Sequence, residues 1–213
     1  MSLLSPTLPA YAFDFGVGGL SKIKPLQTGV ELWDAESSPI QNARVFVSAE
    51  MASSSGKPIL VTLQSPWLVS SVSSGLLQAR DLRHSESLFV QVLALDPQRK
   101  DDWQIPSQFR QLLLESGILA SPGKLGAYES PTNVKVEAVQ DTSIFKVTFT
   151  LHATPSVLKE SEERQLWIQP KATDKDTLVL LVVGTTQSRF VSQQTAFQKV
   201  VSSFTVVAAP TTR

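Results

Sequence analysis

Apolar and polar positions alternate with a period of two along Asn133–Gln140 and Ile144–His152. Val134, Val136 and Ala138 form one apolar set, and Phe145, Val147, Phe149 and Leu151 the other. One apolar and one polar face predict half-buried antiparallel strands. The short polar link Asp141-Thr142-Ser143 predicts a hairpin. Arg164–Gln169 and Thr177–Gly184 predict a second hairpin, turning at Thr173–Asp176. Thr177–Gly184 (TLVLLVVG) is apolar at both phases, so it predicts a central strand covered on both faces. Upstream, Lys57–Leu63 and Leu88–Leu95 read as strands, the latter stopped by Asp96-Pro97. Pro66-Trp67 reads as a turn, and Gly75–Arg83 as either strand or turn.

Two segments switch to helical spacing. Pro106–Ser116 opens with a proline suited to a first turn and carries Phe109, Leu112 and Leu113 on one stripe. Gly117 suits a left-handed position past its end. In Gln194–Phe204, Phe197, Val200, Val201 and Phe204 fall at i, i+3, i+4 and i+7. Burying these four should contribute roughly 1.5–3 kcal/mol each before chain entropy is subtracted. Thr205–Val207 follows as a short strand. Strands follow strands through short links and do not alternate with helices. The fold class expected is therefore α+β, an antiparallel β-sheet flanked by helices, and not a parallel dinucleotide-binding sheet.

The first 56 residues lack a sustained period. Within 1–12, Ala10-Tyr11-Ala12 places small residues at −3 and −1 relative to a cut before Phe13, as signal peptidases prefer. The segment reads either as the remnant of a targeting signal or as an ordinary proline-rich terminus. Residues 13–56 read as an extension, partly ordered by packing on a partner or on the main domain. Arg44–Ser48 is a weak strand in it, and Ser53–Gly56 (SSSG) a flexible break. Gly16, Gly18 and Gly19 do not make a phosphate loop, since no Gly-Lys-Ser/Thr follows. Residues 57–208 form the main domain, and 209–213 a tail.

Composition narrows the chemistry. The 213 residues hold 19 basic and 19 acidic side chains, a formal net charge of zero, which disfavours nucleic acid as the main partner. There is no cysteine, which excludes disulfides, thiolate catalysis and iron–sulfur clusters. No apolar run reaches the roughly 18 residues of a membrane span. No Gly-x-Ser-x-Gly elbow accompanies the two histidines, so a hydrolase is disfavoured. Glu160-Ser161-Glu162-Glu163 reads as a solvated charged loop. Asp81, His84 and Glu86 have the donor types for a divalent metal, but a solvated turn of mixed charge is the stronger reading. His152 ends a strand on its polar phase and reads as a surface residue.

The ending Ala196–Val207 (AFQKVVSSFTVV) resembles the terminal helix and strand of the PsbP-like family of thylakoid lumen proteins. The matching residues are Phe197, Val200, Ser202, Ser203, Phe204 and Val206. Pro66-Trp67 resembles the family's Pro-x-x-Trp turn with the spacer missing. The strand-then-helix step Leu88–Ser116 and the two hairpins also match, so the resemblance spans roughly Lys57–Ala208. The lead-in after Ala12 is longer than the family's and does not match it.

The resemblance implies a PsbP-like α/β/α sandwich without cofactor or catalytic centre. It implies an accessory protein in the chloroplast thylakoid lumen, peripheral to the membrane. Such a protein would stabilise the oxygen-evolving side of photosystem II. Alternatively it would assist assembly of a photosystem or of the chloroplast NADH dehydrogenase-like complex, or carry a metal on the same fold. Candidate partner contacts are the aromatics Phe13, Phe15 and Trp33, since aromatics anchor interfaces. Lys22, Lys24, Arg80 and Arg83 are basic positions for meeting acidic lumenal loops, with ordinary solubilising charge an equal reading.

Overall fold

In a computed structural model of the protein, the residues described are 30–33, 45–67, 69–73, 75–81, 86–96, 98, 102–125, 127, 129–152, 161–174 and 176–208. They carry eleven strands in two antiparallel sheets and two α-helices. The strands are β1 (Val30–Trp33), β2 (Val45–Ala52), β3 (Pro58–Ser65), β4 (Val69–Ser73), β5 (Leu76–Asp81) and β6 (Glu86–Ala94). Then come β7 (Thr132–Ala138), β8 (Phe145–His152), β9 (Ser161–Ala172), β10 (Thr177–Thr186) and β11 (Thr205–Ala208). The helices are α1 (Pro106–Glu115) and α2 (Gln187–Ser203). The architecture is α+β, an antiparallel sheet flanked by helices.

The large sheet runs β4-β5-β6-β10-β9-β8-β7. β10 is at its centre because both of its phases are apolar. Leu178, Leu180 and Val182 point into one core and Val179, Leu181 and Val183 into the other. The first core is closed by Phe109 and Leu113 of α1 with Ile118 and Leu119 of the 3-10 turn after it. The second is closed by Phe190, Phe197, Val200 and Val201 of α2, with Phe204 just past its end. All four residues of the expected i, i+3, i+4, i+7 stripe are buried.

A second sheet, ordered β1-β2-β3-β11, shares that second core. Alternation in β3 sends Ile59, Val61 and Leu63 inward, where they join Val47, Ala49 and Met51 of β2. Two of its strands come from the segment expected as an extension. β2 pairs with β3 from Val45↔Ser65 to Ala52↔Pro58. The single sheet expected from periodicity is thus two, because β2 from the expected extension and β11 after the last helix both pair with β3.

Three local expectations are corrected. Ser53–Gly56 is no flexible break but a tight turn. Ser53 N donates to Lys57 O at 2.7 Å, Gly56 N donates to Ser53 O at 2.9 Å, and Gly56 takes φ +76°. Gly117 is not left-handed, with φ −80°. Glycine is needed there because a Cβ would lie 2.7 Å from Leu113 Cα, leaving α1 no room to turn away. Ser161–Glu163 are not loop but the start of β9, opposite His152, Leu151 and Thr150. Glu162 is neutralised there by Arg164, whose Nε donates to Oε2 at 2.7 Å.

Edge β7 is guarded. Its register shifts between Thr132 and Lys135, Asn133 takes φ +54°, and Arg110 Nε donates to Val134 O at 2.9 Å. A bulge and a covering side chain both discourage pairing with another chain.

Candidate functional site

Phe13, Phe15, Lys22, Lys24, Arg83 and His84 lie outside the described residues. Trp33 ends β1, opposite Phe46 at the edge of the four-stranded sheet. Arg80 is on β5, opposite Ser87 in the seven-stranded sheet. The two described candidates therefore belong to different sheets.

Of the metal-type donors, Asp81 pairs through its backbone with Glu86, and the Glu86 side chain is committed elsewhere. Its Oε1 accepts from Arg189 of α2 at 2.9 Å, and the carboxylate is only 6% exposed. A carboxylate so buried needs its cation, and the pair ties the start of α2 to the start of β6. Among the described residues, no group of three or more histidine, cysteine, aspartate or glutamate side chains could hold a metal ion. His152 is half-buried, opposite Ser161.

Lys171 of β9 bridges to the end of α2. Its Nζ donates to Phe204 O at 2.6 Å and lies 5.1 Å from the centre of the Phe204 ring. Both contacts favour the cation, yet desolvation by burial outweighs them and lowers its pKa below the ordinary 10.5.

The Pro66-Trp67 turn is built by Ser65. Trp67 N donates to Ser65 Oγ at 3.0 Å, and that hydroxyl donates to Trp67 O. The indole is thereby held edge-on to Phe197, with ring centroids 6.1 Å apart. Phe197 continues to Phe190, and Phe190 to Trp167, each at 5.3 Å.

A cleft of about 260 Å³ opens where β6 ends against α1. Ala94 contributes from the end of β6, Leu95 and Asp96 from just past it, Trp103 from a 3-10 turn (Asp102–Gln104), and Leu112 and Glu115 from the helix. Periodicity does not reveal it, since Asp96, Trp103 and Glu115 come from three separate stretches of the chain. The one local signal is an aromatic residue three positions before a helix-opening proline.

Among the described residues, no helix is long and apolar enough to cross a membrane. No family model and no curated protein matches the chain. Among solved structures it is similar to the Ran-binding protein Mog1p of Saccharomyces cerevisiae, at 14% identity and a TM-score of 0.40, with 74% of this chain and 94% of that one covered. It is similar also to a mutant of protein Mog1, at 15% identity and a TM-score of 0.40, with 74% and 95% covered.

Proposed function

We propose that the chain is a PsbP-like accessory protein of the thylakoid lumen, docking on the lumenal face of a photosynthetic membrane complex and acting by binding, not catalysis. The oxygen-evolving side of photosystem II is the first candidate. Photosystem I and the chloroplast NADH dehydrogenase-like complex are the alternatives.

One observation carries the reading. The two strings on which the resemblance rests, Pro66-Trp67 and Phe197–Val206, are 130 residues apart from Trp67 to Phe197, yet they meet in one core. Trp67 packs edge-on against Phe197, and Val206 of β11 pairs with Val61 of β3, the strand that leads into the turn. That the two strings share one core supports the reading. The antiparallel sheet flanked by helices supports the same reading.

The test is co-migration in mild-detergent extracts of thylakoid membranes. The chain should run with photosystem II and be released by a high-salt wash, as charge-guided docking requires. Running with either alternative complex would reassign the partner. Absence from thylakoids would overturn the proposal.

A further inference from the structure

We propose that β11 is a docking edge for a second copy of this chain, the two β11 strands pairing antiparallel about a two-fold axis and joining their four-stranded sheets. The inference is independent of which complex the protein serves.

The edge is open and unguarded. Among the described residues β3 is the only strand paired with β11, which therefore ends the four-stranded sheet. An edge strand presents unpaired backbone groups, and proteins protect such edges with charge, proline or bulges. β7 has such protection. Thr205–Ala208 (TVVA) holds no charged residue and no proline, and its register with β3 is unbroken.

The ladder fixes which groups are free. Gln64 N donates to Ser203 Oγ at 2.8 Å, so the even-numbered residues of β3 turn their backbone groups toward β11. Leu60 and Thr62 then exchange hydrogen bonds with Val207 and Thr205, and Val206 and Ala208 direct their N–H and C=O groups away from the sheet. Phe204 O is directed the same way, and Lys171 Nζ donates to it at 2.6 Å. Lys171 thus covers only the entry to β11 and leaves Val206 and Ala208 free. With Val207 opposite its own counterpart, Val206 of each copy exchanges hydrogen bonds with Ala208 of the other.

The side chains favour a second copy as the occupant. Leu60 is 38% exposed and Val207 57%, and the two are directly opposite on the outer face of the sheet. An axis perpendicular to the sheet keeps both outer faces on one side. The two Val207 side chains meet in a non-hydrogen-bonded pair, where cross-strand neighbours approach closest. Each copy then extends the other's Leu60–Val207 pair into one apolar row, which a foreign strand does not bring. Like charges stay apart. Glu50 is opposite Leu60 on the side away from β11. The two Glu50 positions are five strand spacings apart, about 24 Å, and the two Lys171 contacts at Phe204 about 20 Å apart along the strands. Both exceed the Debye length of about 8 Å at physiological salt. One row of side chains is a small contact, below the roughly 1,200 Å² of a stable interface, so the pairing is weak, with a Kd of about 0.1–1 mM.

Sedimentation velocity and amide exchange by NMR on the full chain, between about 20 µM and 2 mM, test the proposal. The sedimentation coefficient should rise with concentration toward that of a dimer. Exchange at the Val206 and Ala208 amides should slow at least about threefold in step, while Thr205 and Val207, already bonded to β3, change little. Val207→Lys sets two like charges face to face on the axis and should abolish both changes, its amide spectrum staying dispersed because the side chain is exposed. Val191→Lys, at an exposed apolar position of α2, should leave both changes intact. A monomer at every concentration, a dimer that survives Val207→Lys, a dimer lost in Val191→Lys, or Val206 and Ala208 amides indifferent to concentration would overturn the proposal.

Discussion

The hydroxyls of Ser54 and Thr177 lie 2.6 Å apart and join the turn between β2 and β3 to the start of β10. Ser54 Oγ donates to Asp176 O at 2.7 Å, so the Thr177 hydroxyl supplies the proton between them. Ser54 N donates to the same Thr177 oxygen at 3.2 Å. One threonine thus stitches the four-stranded sheet to the seven-stranded one. Thr177 is fully buried, so Thr177→Val should leave Ser54 N without its acceptor at little change in volume. A loss of about 1–2 kcal/mol in urea unfolding is expected. A change near zero would mean that the stitch carries no stability.

Glu86 and Arg189 should behave as a unit. Arg189→Met leaves a nearly buried carboxylate uncompensated and should cost roughly 2–3 kcal/mol. Adding Glu86→Gln to that variant should recover part of the loss. A double-mutant cycle reads the coupling directly, and additive losses would count against the pair.

Gly184 of β10 has no room for a side chain. A Cβ there would lie 2.2 Å from Leu166 Cδ2 and 2.5 Å from Gln165 O. The leucine methyl can rotate away, but the carbonyl belongs to the adjacent strand β9. Gly184→Ala should therefore destabilise by about 3 kcal/mol, at the upper end of overpacking costs. Thermal unfolding of the variant, with Gly123→Ala as the unhindered control, checks this.

Lys171 predicts a pH dependence of definite sign. Burial lowers its pKa in the folded protein below 10.5, so on raising the pH the native state releases this proton before the unfolded chain does. In the window just below 10.5 the unfolded state binds more protons, so this residue's contribution to stability rises with pH. Below the window the desolvation penalty is present in full. Relative to Lys171→Met, the unsubstituted chain should gain stability as denaturation is repeated from neutral pH up to about 10.5. A relative loss over that range would contradict the assignment.

Much of this fold is written in local patterns. The central position of β10 is legible because its apolar run satisfies two cores at once. The first hairpin is legible because period-two alternation flanks a short polar turn, and the second because a polar turn leads into a wholly apolar run. Other features depend on tertiary partners. β9 begins at Ser161 only because β8 is there to pair with Glu162 and Glu163. α2 starts seven residues before the apolar stripe announces it, since Gln187–Gln193 offers only Phe190 to the core. The four-stranded sheet is hidden because β1 and β11 are four residues each and β11 finds its partner, β3, far back in the sequence. The cleft is invisible for a related reason: its carboxylates and indole become neighbours only when β6 and α1 dock.

The place of β11 beside β3 carries a consequence for synthesis. Thr205 is registered with Thr62, so β3 must wait for the chain through α2 to be made before its second neighbour exists. Until then the nascent chain holds a half-finished sheet, with Val61 and Leu63 lacking the lid that α2 and Phe204 later provide. Closure of the second core thus waits until α2 and β11 have left the ribosome, and a chain stalled before them would present a sticky surface to whatever chaperones attend it.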